Sequence, residues 1–194
     1  HRRLLSVAQS VLLTLILLND TAAHHHHHFS QPDLPADPEQ VLQCDVFTPL
    51  SVLDLLSDIP APVGVFSNSD HLQTVTALAA AYLNLPGKDW QTCYRAKNKA
   101  AMRQHLKALD SGACWFRAVI DQASLAKVID DVPFPCIAKP REGVGSLNVR
   151  RLDNAAQLQS FGDQFWQEQP GQPLLLEEFL SGPVHTLETI GDGN

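Results

Sequence analysis

The sequence predicts an α/β chain in two parts, a small parallel-sheet domain followed by an α+β unit. Three observations carry that expectation. Over residues 1–87 short apolar runs alternate with segments of helical period, and parallel strands need a crossover that a helix usually provides. After residue 113 two strand-like runs flank a glycine loop, the pattern of an antiparallel hairpin. A hydrophobic share of 44% in 194 residues is enough for one or two cores of ordinary size.

Taken in order, Arg2 and Arg3 ahead of the apolar run Val11 to Leu18 imitate a secretion signal, but Ser6, Gln9 and Ser10 interrupt it and no small-residue cleavage site follows. The run reads instead as an amphipathic turn feeding a buried strand, Leu13 to Leu18, that ends at Asn19 and Asp20. His24 to His28 are five imidazoles with no carboxylate or cysteine beside them, which defines no metal geometry. Residues 24–39, with Pro32, Pro35 and Pro38, are therefore expected to form a flexible His/Pro-rich loop.

Gln43 to Phe47 is a strand candidate, Ser51 to Ile59 a helix capped by its serine, and Val63 to Phe66 a buried strand. In Asp70 to Leu85, Leu72, Val75, Leu78, Ala79 and Tyr82 fall at helical spacing before Pro86 and Gly87 stop the helix. Ser69 or Asp70 is its expected cap. Ser67 to Asp70 would also lie outside the carboxyl end of a parallel strand, where ligands gather in such sheets.

A linker at Gly87 to Gln91 leads to a helix over Arg95 to Leu109, which sets Lys99 and Arg103 one turn apart on one face. Trp115 to Ile120 reads as a strand, Ser124 to Asp131 as a short helix capped by its serine, and Pro135 to Lys139 as a strand. Val149 to Leu152 follows as the hairpin partner, then a helix over Asn154 to Gln167 capped by Asn154. Leu174 to Leu180 is the last clear strand and carries the paired carboxylates Glu177 and Glu178.

The formal net charge of −7 argues against a broad nucleic-acid surface, which needs clustered Lys and Arg. No run approaches the roughly 18 apolar residues of a membrane span. Cys44, Cys93, Cys114 and Cys136 form no CxxC pair, so they are expected to be reduced, mostly buried thiols of a cytoplasmic protein rather than zinc ligands.

The chemistry concentrates at Pro135 to Val149. A strand ending in Lys139 and Pro140 opens into a loop with Gly143, Gly145 and Ser146. Phosphate groups need backbone N–H groups at close range, which glycine permits because it lacks a Cβ and tolerates positive φ. They also need a cation held at fixed depth, which Lys139 supplies, and Ser146 offers a hydroxyl donor. A glycine hairpin alone has the same sequence, so the motif gains meaning only from its neighbours. Lys99 is then the candidate second cation.

Asn98-Lys99-x-x-Met102-Arg103, Ala138-Lys139-Pro140 with Gly143-x-Gly145-Ser146-x-x-Val149, and Leu176-Glu177-Glu178-Phe179-Leu180-x-Gly182-Pro183 with Glu188 together resemble the ATP-grasp superfamily. Within it they are most similar to carboxylate-amine ligases of the amino-acid ligase type, from about Val63 onward. The resemblance implies a pre-ATP-grasp α/β domain at 1–87, a linker and connecting helix at 88–112, a lid at 113–176, and a hinge with the first strands of a truncated ATP-grasp domain at 177–194.

It further implies that Lys99 and Lys139 meet the α- and β-phosphates of ATP and that Gly143 to Ser146 fold over them. Glu177, Glu178, Phe179 and Leu180 would form the adenine hinge, with the Glu177 carboxylate on the adenine amino group and backbone groups near Phe179 and Leu180. Many relatives hold the ribose with an acidic residue after Gly-Pro; here that position is Val184, and His185 is the candidate replacement. The reaction implied joins a small carboxylate, phosphorylated to an acyl phosphate, to an amine, with amino acids as the expected substrates. Mg²⁺ is implied too, with its ligands and the arginine that steadies the acyl phosphate expected beyond Asn194, so that the chain reads as a catalytically incompetent N-terminal piece. A homodimer is compatible with this reading, and no nucleic-acid or membrane partner is expected. Two other classes share these motifs: an ATP-grasp enzyme of another branch, such as a biotin-dependent carboxylase or purine-pathway ligase, and a non-catalytic nucleotide-binding module.

Overall fold

The computed structural model describes residues 13–21, 38–111, 114–143 and 145–187. The expected tract His24 to His28, most of the loop around it, and Glu188 lie outside the described residues. The chain divides into two compact units, His1–Lys97 and Asn98–Asn194.

The first unit pairs β1 (Ile16–Asn19) with β2 (Gln40–Gln43) in parallel, with Ile16 opposite Gln40. The second strand begins earlier than the Gln43 to Phe47 reading. The Asp45 carboxylate accepts the Phe47 N–H at 3.0 Å and the Thr48 hydroxyl at 2.6 Å, and this side-chain turn replaces any ladder beyond Cys44. Helix α1 (Pro49–Ser57) starts at Thr48 with Pro49 in its first turn, not at Ser51, because proline's fixed φ suits a position whose N–H needs no helical partner. Val52 and Leu56 turn inward to meet Val75 and Ala79 of α2 (Gln73–Tyr82).

Val63 to Phe66 is not a strand. Val63 is 68% and Phe66 69% exposed, and only Val65 packs against the unit's core. Pro60 and Pro62 contribute no ladder N–H and Gly64 no side chain, which removes what a third strand needs. The next helix also differs from expectation: a single 3₁₀ turn at Asp70–Leu72 precedes α2, and instead of a side-chain cap from Ser69 or Asp70, Ser69 precedes the 3₁₀ turn and Leu72 precedes α2, neither with a capping side-chain bond. Ser67 Oγ accepts the Ser69 N–H, and the Gln73 amide donates to the carbonyls of Ser67 and Ser69. Asn84, at φ 54°, then ends the helical run short of Leu85. Helix α3 (Trp90–Lys97) packs on α2 and completes this unit.

The single helix expected over Arg95 to Leu109 is two. Asn98 breaks it, taking extended backbone angles and accepting the Ala101 N–H at 3.1 Å, so that it caps α4 (Lys99–Ala108). The second unit is built on four strands, β3 (Phe116–Val119), β4 (Cys136–Pro140), β5 (Arg150–Leu152) and β6 (Leu174–Glu178), in the order β3-β6-β4-β5 with every neighbour antiparallel. Helix α5 (Gln122–Ala126) is capped by Asp121, with Ser124 returning the bond as the third residue of a capping box rather than as the cap. Helix α6 (Ala155–Glu168) has the expected Asn154 cap.

One face of this sheet is apolar. Val119, Cys136, Ala138, Leu152, Leu174 and Leu176 pack against Leu125 of α5 and Leu158 and Phe165 of α6. Gly162 permits the close approach, since a Cβ there would stand 2.9 Å from the Trp166 ring and 3.1 Å from Leu125. All four cysteines are free; Cys93, Cys114 and Cys136 are buried, and burial pushes the Cys136 thiol up to about 11. No helix among the described residues is long and apolar enough to cross a membrane.

Candidate functional site

The opposite face of that sheet carries charge. In β6, Leu-Leu-Leu-Glu-Glu, the period of two sends Leu174 and Leu176 into the core and Leu175 and Glu177 to the other side. In β4 the same alternation sends Ala138 inward and Lys139 outward, with Lys139 registered against Leu175 and Ile137 against Glu177. Lys139 is thus one diagonal step from Glu177, and its ammonium donates to Oε2 at 2.6 Å. A one-residue slip of β6 would carry Glu177 into the apolar core, so burial of the leucines fixes the register of the carboxylate.

Helix α4 adds two more cations. Arg103 Nε donates to Glu177 Oε1 at 2.7 Å, and Nη2 lies 3.4 Å from Oε2. Lys99, in the first turn, donates its backbone N–H to the Arg141 carbonyl at 3.1 Å and its ammonium to the Gly143 carbonyl at 2.8 Å. The start of α4 is therefore tied at two points to the segment that leaves β4.

These charges shift one another. Burial alone would raise the Glu177 carboxyl, but hydrogen bonds from Arg103 and Lys139, with their positive charges, outweigh it and hold it below its ordinary range. The hydrogen bond to Glu177 raises the Arg103 guanidinium against the opposing effect of burial. Lys99 moves the other way: burial and then repulsion from Lys139 lower it, against the pull of Glu142 and Glu177. The result is a cluster that retains two lysine ammonium groups around one neutralised carboxylate, an arrangement suited to an anion of more than one charge.

A pH prediction follows from the Glu177 shift. A carboxyl whose folded pKa lies below its unfolded one contributes stability that is complete above the unfolded value and is lost as pH falls through the folded value. The urea midpoint of the native chain should therefore exceed that of Glu177→Gln at neutral pH, and the gap should close on acidification. A gap that widened toward acid would contradict the ion-paired assignment.

The loop after Lys139 has two kinds of glycine. Gly145 adopts φ 65°, a left-handed conformation shared by Ser146 at 57° and Asn148 at 56°. A Cβ at Gly143 would meet only Pro140, at ordinary contact distances of 3.5 and 3.8 Å. Gly145→Ala should therefore cost about 1 kcal/mol in urea unfolding, whereas Gly143→Ala should stay within about 0.5 kcal/mol. Equal costs would show that the conformational difference does not govern this turn.

The structure thus gathers Lys99, Lys139, Gly143 and Glu177, while Gly145 and Ser146 sit in the exposed turn beyond them. At the end of β6, the Glu178 N–H donates to the Trp115 carbonyl and, just past it, the Phe179 N–H to the Pro135 carbonyl, both at 3.1 Å. Leu180 and His185 are exposed. Glu177, expected to meet adenine through its carboxylate, has cation partners on both oxygens. Two contacts escaped the sequence reading. Arg103 stands 74 positions from Glu177, and only its spacing from Lys99 hinted that the two share a face. The Arg151 guanidinium lies 4.6 Å from the centroid of the Phe179 ring, joining β5 to the segment after β6.

In the first unit Ser67 borders a cavity of about 230 Å³ with Val65, Phe66, Gln73, Thr76 and Lys88. The Lys88 ammonium there donates to Gln73 Oε1 at 2.8 Å. Among the described residues no three His, Cys, Asp or Glu side chains come together as metal ligands.

Comparison with known proteins gives this geometry a context. No family model matches the chain. An uncharacterized protein of Sinorhizobium fredii, y4rH, is 30% identical over 135 residues, which is 66% of this chain and 28% of that protein. Carnosine synthase 1 of Gallus gallus is 27% identical over 148 residues, 66% of this chain and 16% of the synthase. The chain thus spans well under a third of these two relatives. Among solved structures, an L-amino acid ligase from Bacillus licheniformis matches 94% of this chain with a TM-score of 0.66 at 20% identity, over 42% of the ligase. An N5-carboxyaminoimidazole ribonucleotide synthetase, solved as its ADP complex, matches 92% of this chain with a TM-score of 0.60 at 13% identity, over 44% of its length.

Proposed function

The chain carries the ATP-grasp fold of these ligases, and from that premise we propose that it is the ATP-binding region of a carboxylate-amine ligase. The observation that carries the proposal is the placement of the Lys99 and Lys139 ammonium groups at the root of the glycine loop, around one carboxylate already neutralised by Arg103. Compact ammonium charges on flexible stems suit phosphate oxygens, and the site supplies two, Lys99 and Lys139.

In this reading Lys99 and Lys139 hold the α- and β-phosphates, and the turn from Gly143 to Ser146 covers them with backbone N–H groups and the Ser146 hydroxyl. The base lies against the segment after β6. The Glu178 and Phe179 N–H groups are already engaged by Trp115 and Pro135, so recognition of adenine falls to the backbone at Leu180 and to the Phe179 carbonyl. His185 is the proposed ribose partner in place of Val184. A substrate carboxylate oxygen attacks the γ-phosphorus and ADP leaves; the amine then attacks the acyl carbon and expels phosphate, forming the amide. The carboxylate and amine are proposed to be amino acids or close relatives, in keeping with the amino acid ligase whose fold the chain shares. The chain's contribution is positioning and charge neutralisation, the main components of phosphoryl-transfer catalysis.

Titration of the 194-residue chain with a fluorescent ATP analogue, displaced by unlabelled ATP, tests the binding step. Saturable binding that ATP displaces and inorganic phosphate at equal concentration does not is the expected result. A flat titration with a chain shown to be folded by circular dichroism would remove the reading.

A further inference from the structure

We infer that Arg103 and Glu177 are a positioning pair for the lysines of this site: the carboxylate fixes Lys139 in place, and the guanidinium offsets the carboxylate so that it does not cancel the positive charge offered to an anion. The inference rests on the nucleotide reading above and adds two residues with a defined task.

The geometry separates the roles. Glu177 is on β6, flanked on both sides by other strands, and its residue is only 5% exposed. Lys139 is joined to the chain by a four-carbon stem, and its contact with Oε2 at 2.6 Å sets where the ammonium stands. Glu177 acting alone would cancel that ammonium. Arg103, with a planar fork on both carboxylate oxygens, supplies the compensating charge, so Lys99, Arg103 and Lys139 against Glu177 leave a net of two positive charges.

Glu177 also lies between the two lysines electrostatically. The groups that face Lys99 are Lys139 from β4, Glu177 from β6, Glu142 from the loop and the Gly143 carbonyl, with Arg103 one turn along its own helix. Repulsion by Lys139 lowers Lys99, after burial, and Glu177 counters it. Removing the negative charge should therefore lower Lys99 further, while releasing Lys139 from its acceptor.

The test is the acylation rate of each lysine by an acetic N-hydroxysuccinimide ester, measured against pH by peptide mass spectrometry on the whole 194-residue chain. Exposed Lys107 and Lys127 serve as internal references. In Glu177→Gln, Lys99 should titrate at a lower pH than in the native chain and Lys139 should react faster than before. A merely structural role would move the urea midpoint but not these two profiles relative to the references. In Arg103→Met the affinity for the fluorescent ATP analogue should fall roughly 10- to 100-fold, the loss expected when a hydrogen bond between charged groups is removed. Arg103→Lys, which keeps the cation but loses the fork, should restore part of it. If Glu177→Gln fails to fold, Glu177→Asp, shorter by one methylene, should speed Lys139 in the same direction.

Unchanged Lys99 and Lys139 profiles in a folded Glu177 variant overturn the inference, as does an Arg103→Met chain that binds the analogue as the native chain does. A native chain that binds no analogue overturns the nucleotide reading instead, and the lysine profiles then decide the coupling by themselves.

Discussion

Lys139→Met is expected to lower affinity for ATP by about 10- to 100-fold, the loss of one charge-assisted contact of about 1.5–3 kcal/mol. Methionine keeps most of the stem, so the change removes the charge with little loss of packing. It also withdraws one of the partners of Glu177, but Arg103 remains on both carboxylate oxygens and prevents the buried acid from being orphaned. The variant should therefore remain folded while its binding fails, as circular dichroism alongside nucleotide titration would show. Native affinity in a folded Lys139→Met chain would refute the role given to this residue. The same titration has a pH signature. Lys99, lowered mainly by burial and by Lys139, gives up its proton below the 10.5 of an ordinary lysine, so affinity should decline on an alkaline limb that begins below that value.

The second large effect is on stability. Leu158 is fully buried on the inner face of α6, amid the core formed by the inward side chains of the sheet. Leu158→Ala should destabilise the chain by about 2–5 kcal/mol, from lost transfer energy and an incompletely collapsed cavity. That is a large part of the net stability of an ordinary domain, about 5–15 kcal/mol. Urea unfolding would measure it, and a loss under about 1 kcal/mol would mean that this core repacks far more freely than cores of normal density do.

Much of the second unit was legible in the sequence because its signals are local and agree with one another. The alternation in Cys136 to Pro140, the turn residues after it and the strand at Arg150 to Leu152 all specify one hairpin, and Asn154 marks the start of α6 through its side-chain oxygen, which accepts the Gln157 N–H. The first unit was less legible where the local signal and the surroundings part. Val63 to Phe66 is apolar enough for a buried strand, yet prolines and a glycine leave it without a ladder and with two large side chains in solvent. The break at Asn98 was hidden for a different reason. Asparagine is tolerated inside helices and favoured at their starts, and a basic run on either side does not say which applies.

The site was half legible for the same physical reason. Lys139 and the glycines lie within a few residues of each other, so their association is a matter of local sequence. Arg103 and Glu177 meet only because a strand late in the chain enters beside β4, and sequence spacing carries no trace of that. The Arg151 contact to Phe179 is of the same kind.

The position of β6 between β3 and β4 has a consequence for how the protein is made. During synthesis the two strands that will flank it leave the ribosome well before it does, with their facing edges lacking a neighbour and with Arg103 and Lys139 lacking their shared counter-charge. Insertion of Leu174–Glu178 ends both conditions at once: it closes the edges, buries three leucines and delivers the carboxylate. Until then the nascent chain presents open strand edges of the sort that invite pairing with other chains. The assembly of the anion site and the completion of the sheet are thus one event, so a chain released before Leu174 should be both aggregation-prone and unable to hold its lysines in register.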